Sequence, residues 1–380
     1  MLILNKVAFT GEFMSKLRLE YEILVSGIYP FKGDFEKNGF KIVEKVINDQ
    51  IVKHLSRESV IYLSPFIGMC CYSNNDNDTV YLTFQKEEEI QIDYGEKKEY
   101  DVQFTNSYIE DLNLFEKINM LEKTLVLEVN NDIKFPIKMI KVYNLDGELV
   151  TILYDFMKLN VPCLLSEDQE KVFEVMKRQN NRLNSGISYE KVAELAQNNK
   201  FFKNALSMYH ASFSVSDHNV GFTLLVISLE SLLGLSTYSK PERCECCNQI
   251  KYAITSTISQ NVSTILMDQD DFIERRMKKL YGARSDFVHK GIEIKKQEEQ
   301  EMQEYVRKVL LMYWCVSMHQ TTYNHKDIIK EILSAEYKEN SMYQSFLTGL
   351  DNTSFDKKRT KMLKDIFLRI LENSKVTKDE

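Results

Sequence analysis

The sequence predicts an α+β protein. A β-rich amino-terminal domain covers residues 1–163, and an all-α, up-and-down helical bundle with a helical carboxy-terminal extension covers 164–380. Proline placement is the first sign. Pro30, Pro65, Pro136 and Pro162 lie in the first part and only Pro241 lies beyond, as expected if the second part is built of helices that proline would break. The second sign is period-two alternation of apolar and polar residues, which marks strands and is confined to the first part. The third is a change after Pro162 to apolar residues at three- and four-residue spacing, the mark of helix faces, broken only by short loops.

Thr79–Phe84, Glu89–Tyr94 and Thr124–Val129 read as strands, with 73–78 (Ser-Asn-Asn-Asp-Asn-Asp) as a loop. Met139–Leu145 and Glu148–Tyr154 flank Asp146-Gly147, the strongest short hairpin signal in the chain. Ser166 with Gln169 reads as a capping box opening a helix to about Leu183, which Ser185-Gly186 ends. Further helices are expected over Ser188–Asn198, Phe201–Ser212, and from Ser216 or Asp217 to Leu233 before Gly234. The loop Ser236–Asn248 follows. Then come helices over Gln249–Leu266, Asp271–Lys290, Lys296–Thr322 and, in the tail, Lys357–Asn373.

With 380 residues the chain has room for two domains. No apolar run approaches the ~20 residues of a membrane span, and Met1-Leu2-Ile3-Leu4 is too short for a signal-peptide core. The expectation is a cytoplasmic protein with no membrane partner. Its seven cysteines then read as reduced thiols. Cys244-Glu245-Cys246-Cys247 offers three thiols where structural zinc takes four ligands, usually from two separated pairs. It reads as a loop with incidental thiols, and Cys70-Cys71 as packing near a strand end. A net charge of −7 argues against non-specific coating of nucleic acid but leaves room for a local basic site. One exists: between Glu274 and Lys290 stand Arg275, Arg276, Lys278, Lys279, Arg284 and Lys290 against Glu274 and Asp286. The same charges fit a solvated helix face.

That basic helix carries the most informative residues. Asp271 with Glu274 reads as its capping box, and Gly291 as its left-handed cap. Ile273, Met277, Leu280, Tyr281, Arg284, Phe287 and Val288 share one face. Arg284 therefore falls on an apolar stripe, where a guanidinium needs a partner or a cleft. Glu230 mirrors it as the one charged residue between Asp217 and Lys240. It is either Arg284's ion-pair partner or a residue on the wet side of its helix. Tyr281 reads as core or as a platform for a base. His289 sits in the last turn, where the helix carbonyls favour an imidazolium. His54, His210, His218, His319 and His325 read as structural or surface residues.

Three segments follow in order: Leu229-Glu230-Ser231-Leu232-Leu233-Gly234 at a helix end, a second helix around Ile250-Lys251-Tyr252, and Lys279 to Gly291. Together they resemble the Apea-like branch of the HEPN superfamily of helical ribonucleases, and Arg284 followed five positions later by His289 is similar to its R-x4-6-H motif. The position after the arginine, often Asn, Asp or His in that family, is Ser285 here, with Asp286 next. The resemblance implies a HEPN-type core at about 200–322 and catalysis by Arg284 and His289. Glu230, Ser285 and Asp286 then support the site, Lys279, Tyr281 and Lys290 contact RNA, and no cofactor or metal is needed. It further implies a homodimer through the helical domain, a 2′,3′-cyclic phosphate product and a part in antiphage defence. The first domain would then be a sensor or regulatory domain that meets a regulatory protein or phage-derived trigger. Two other readings stay open: a non-catalytic module binding RNA, a nucleotide or a protein partner, and a toxin held by an antitoxin.

Overall fold

The computed structural model describes residues 16–26, 28, 35–37, 39–46, 71–73, 79–91, 112–130, 132–144, 146–156, 187–234, 254–320 and 322–351. The chain is mixed α and β and divides into two compact units. One is Met1–Glu122 with Ile133–Met176, the other Lys123–Asp132 with Lys177–Glu380.

The first unit is an antiparallel sheet. Its strands are β1 (Lys16–Ser26), β2 (Phe35–Lys37), β3 (Phe40–Val46), β4 (Cys71–Ser73), β5 (Thr79–Gln91), β6 (Lys134–Tyr143) and β7 (Leu149–Phe156), ordered β2-β3-β5-β1-β6-β7 with β4 also on β5. The central strand β1 is unassigned by the sequence reading, although its pattern is plain. Leu17, Leu19, Tyr21, Ile23 and Val25 are buried while Arg18, Glu20 and Glu22 face outward. Full burial of such apolar side chains is worth ~1.5–3 kcal/mol each. Thr79–Phe84 and Glu89–Gln91 belong to one strand, and the rest of the second expected strand, residues 92–94, lies outside the described residues. β5 runs unbroken to Gln91, paired with β1 as far as Lys16, because that partner has no break. Asp146-Gly147 does turn the hairpin. Gly147 has φ +80° and donates to the Asn144 carbonyl at 3.1 Å. Pro136 lies in β6 where the register to β1 slips between Leu24 and Ser26, one of the few places a sheet admits proline.

Thr124–Val129 is not a strand either. It is the last part of helix α1 (Leu114–Val129). Leu114, Ile118, Leu121 and Leu125, all buried, set a helical period that overrides the β-prone run. Its end belongs to the helical unit. There the buried Arg307 donates from Nε to the Leu127 carbonyl and from Nη2 to the Glu128 carbonyl, each at 3.0 Å. Asn130, in the left-handed region at φ 58°, bonds Tyr209 and Glu304.

The remaining helices are α2 (Tyr189–Asn198), α3 (Lys200–Ser214), α4 (His218–Leu233), α5 (Ile254–Ile265), α6 (Phe272–Lys290), α7 (Lys296–Ser317), α8 (His325–Ile332), α9 (Ala335–Glu339) and α10 (Ser341–Asp351). Ser188, Asn199 and Asp217 cap α2, α3 and α4 by accepting from backbone N–H groups. α4 is apolar on nearly every side and sits at the centre, against α3, α5, α6 and α7. Gly221 permits that closeness: a Cβ there would lie 2.9 Å from Glu299 Oε1 and 3.0 Å from the Ser212 carbonyl oxygen. α7 stops at Ser317, short of the expected Thr322. His319 N–H bonds the Val316 carbonyl at 3.0 Å, a tightened turn that ends the helix. The expected helices at 166–183 and 357–373, the start of the one from Gln249, the loops at 74–78 and 236–248, and His54, Cys70, Cys244, Cys246 and Cys247 lie outside the described residues.

Candidate active site

The site is built on α6, the helix of the arginine–histidine motif. Its start is capped otherwise than expected. Asp271 has φ 53° and makes no capping bond. Asp268 does the capping, accepting from the Ile273 N–H at 2.6 Å. The 269–270 bend brings that earlier carboxylate over the free amides, while Asp271's left-handed backbone turns its own away. The end is capped as expected. Gly291 at φ 68° donates to the Phe287 carbonyl at 2.9 Å. The chain beyond is tied to the first turn of α4. The Ile294 N–H donates to Asn219 Oδ1 at 2.8 Å, and His218 donates from Nε2 to the Ile294 carbonyl at 2.8 Å. So two polar residues at the head of α4 hold the chain just past the motif. The sequence reading missed this role. The one available signal was two polar residues opening an otherwise apolar helix.

Met277, Leu280 and Tyr281 are the buried residues of α6. Val288, placed on the same face by spacing, is 49% exposed, because it lies near the end of the helix, where neighbours no longer cover it. Tyr281 and Arg284 are three residues apart and therefore neighbours along one face. Both carry a buried polar atom without a hydrogen-bond partner, the Tyr281 hydroxyl and Arg284 Nε. Facing them from α4 is Glu230, half-buried. Burial pushes its carboxyl pKa up, opposed by the charge of Arg284. Burial also pushes the Tyr281 phenol well up. Glu230's charge adds to that shift and Arg284's opposes it. The three groups form one electrostatic cluster. The expected contact ion pair between Arg284 and Glu230 is absent: they feel each other's charge but share no hydrogen bond or salt bridge. Burial raises the cost of ionising Glu230 more than the distant guanidinium repays.

His289 is exposed in the last turn. Five residues at 3.6 per turn set it ~140° around the helix from Arg284, so the two motif side chains flank α6 rather than stand side by side. Ser285 and Lys279 are exposed. Asp286 and Lys290 bind each other at 2.7 Å, an exposed pair worth little. Arg276 is held by Glu301 through Nε at 2.9 Å to each carboxylate oxygen, and Lys278 by Glu274 at 2.5 Å. The basic run is thus partly neutralised, leaving Arg275, Lys279 and Arg284 as cations of α6 with no acidic contact among the described residues.

The other histidines have other tasks. His325 is buried, bonds the Tyr313 hydroxyl through Nδ1 at 2.9 Å and stacks on Phe201. Burial lowers its pKa to about 4. His319 is likewise lowered by burial, and His210 lies on α3. Among the described residues no group of three or more His, Cys, Asp or Glu side chains is placed to hold a metal ion, and no helix is long and apolar enough to cross a membrane.

In chemical terms α4 and α6 offer a cation with an unused donor, a phenol, a carboxyl shifted toward its protonated form, and an exposed imidazole. No family model matches this chain, and comparison with curated proteins and with solved structures finds none similar to it.

Proposed function

We propose that this chain is a metal-independent endoribonuclease of the HEPN type. One observation carries the reading. Arg284, half-buried, keeps a buried Nε donor free and makes no contact ion pair, although buried polar atoms are normally hydrogen-bonded. It also lies one turn and a half from an exposed histidine. In the proposed reaction Arg284 holds the phosphorane oxygens, and His289 transfers a proton. The attack of a 2′-hydroxyl leaves a 2′,3′-cyclic phosphate and a 5′-hydroxyl. Lys279 and Lys290 border the RNA. The protein acts in the cytoplasm as a homodimer through its helical unit, in defence against phage, with the sheet unit as sensor.

A second reading, a non-catalytic module binding RNA, a nucleotide or a protein, is favoured by the Asp286–Lys290 pair and by the ~140° between Arg284 and His289. The deciding experiment is incubation of the purified protein with total RNA in EDTA, beside His289→Ala. Cutting by the wild type alone supports the nuclease. Cutting by both, or loss of cutting with the chelator, removes the assigned site. No cutting with RNA retained on the protein supports the module.

A further inference from the structure

The basic residues of α6 differ in what they touch. Arg276 is held by Glu301, Lys278 by Glu274 and Lys290 by Asp286. Arg275 and Lys279 meet no carboxylate among the described residues, and the Arg275 guanidinium donates to the Asp270 backbone carbonyl at 3.1 Å. We infer that the outward face of α6, with Phe272, Arg275, Lys279 and Gly282, binds a single-stranded segment of RNA that flanks the bond to be cut. The inference extends the ribonuclease reading and is tested apart from cutting.

Spacing places the four residues together. At ~100° per residue they fall within ~80° of one another, on the side away from the buried Met277, Leu280 and Tyr281. All four are exposed. Along ~15 Å of helix, an aromatic ring is followed by two cations and then by bare backbone. The acidic residues nearest this stripe are Asp286, engaged by Lys290 at 2.7 Å, Glu274, engaged by Lys278, and Asp270 and Asp271 ahead of the first turn.

Each part has a counterpart in a single strand. The cations suit its phosphates, and in a chain of net charge −7 such a face is a local feature. Phe272 is 61% exposed, more than any other large apolar side chain among the described residues. An exposed ring is a platform on which a base stacks, and a duplex offers it no unstacked base. Gly282 is the independent sign. A glycine inside a helix costs stability relative to alanine, and the chain's own packing does not require one here. A Cβ at position 282 would meet no neighbouring atom within 4 Å. The missing side chain matters to something outside the chain that comes close to the helix backbone. Gly282 falls between Lys279 and Arg284, so a strand held by Phe272, Arg275 and Lys279 passes toward the motif over bare backbone.

The test is binding of a short fluorescent 2′-O-methyl oligouridine to the full chain, read by anisotropy over a range of salt, with melting temperature in parallel. The methyl group blocks the attacking hydroxyl, so binding is read without cutting. Arg275→Gln and Lys279→Gln should each weaken binding and lower the slope of log affinity against log salt by ~0.7. Phe272→Ala should weaken binding ~5–100-fold and leave the slope unchanged. Gly282→Gln should weaken binding while melting no lower than the wild type, whereas loss of a glycine needed for packing would lower it. Four variants that bind like the wild type overturn the inference. So does a slope lowered equally by Lys338→Gln, an exposed lysine of α9, because the attraction is then diffuse. Displacement of the oligomer by polyglutamate as readily as by unlabelled RNA assigns the face to an acidic protein segment and overturns it too. A wild type that binds the oligomer but cuts no unmodified RNA removes the ribonuclease reading and leaves this inference standing. A wild type that cuts, beside four variants that bind normally, does the reverse. A wild type that neither binds nor cuts removes both.

Discussion

Two glycines, replaced by alanine in turn, make a controlled experiment on how α4 is packed. Gly221 and Gly282 both lie inside helices, so both substitutions gain about 1 kcal/mol of helix propensity. Their surroundings differ. A Cβ at Gly282 meets nothing within 4 Å. A Cβ at Gly221 meets Glu299 Oε1 at 2.9 Å, the Ser212 carbonyl oxygen at 3.0 Å and Val215 Cγ2 at 3.4 Å. Glu299 is buried and paired with Lys296 at 2.7 Å, and the carbonyl is backbone, so neither retreats freely. Such overpacking costs ~1–3 kcal/mol. The propensity gain cancels in the comparison, so Gly221→Ala should be less stable than Gly282→Ala by ~1–3 kcal/mol. At a urea slope of ~1–3 kcal/mol/M, the midpoints separate by roughly 1 M. The single tryptophan, Trp314 of α7, is 1% exposed, and its fluorescence reports unfolding of the helical unit. Equal midpoints for the two variants would refute the close approach of α3, α4 and α7.

His289→Ala and Arg284→Ala should keep their melting temperature and lose RNA cutting by ~10²–10⁴-fold and ~10²–10³-fold respectively, while EDTA leaves the wild type active; gel assays on total RNA check all three. Light scattering at micromolar concentration should show a dimer, and a fully active monomer would remove the dimer from the proposal. Glu230→Ala should cost less than the ~3–5 kcal/mol of a broken buried contact pair, because no such contact joins it to Arg284; a larger drop by urea unfolding refutes that spacing. His325, lowered from 6.5 to about 4, is neutral in the fold and charges more readily unfolded. Its contribution is therefore whole above pH 6.5 and lost as pH falls toward 4, by at most ~3 kcal/mol. Melts of wild type and His325→Gln at both ends of that window should converge at the acid end.

The parts of this fold read correctly from sequence are those where local chemistry decides. Gly291 can take a left-handed cap that other residues resist, Asp217 and Gly234 bracket an apolar run, and Asp146-Gly147 can turn a hairpin. The failures have a common cause in tertiary context. Thr124–Val129 has a strand's composition, and only the period set by Leu114, Ile118 and Leu121 makes it helical. Asp271 and Asp268 are equally good caps on paper, and backbone conformation chooses between them. Of the site, spacing alone put Arg284 beside Tyr281 and facing α4. It did not reveal the gap between Arg284 and Glu230, which depends on how α4 and α6 pack, nor the role of His218 and Asn219, whose bonds reach the chain beyond Gly291. β1 is the exception, since its period-two alternation is local and by itself marks a strand.

The grip of Arg307 on the last turn of α1 bears on how this protein can be cut. A fragment starting at residue 177 would contain every helix from α2 onward, yet it would lack the Leu127 and Glu128 carbonyls. The guanidinium, 2% exposed, would keep Glu304 at 3.2 Å and little else, and an undercompensated buried charge costs ~3–5 kcal/mol. The helical unit is thus encoded in two separate stretches of the gene. A carboxy-terminal piece without residues 123–132 should therefore be less stable than one that carries them grafted ahead of α2.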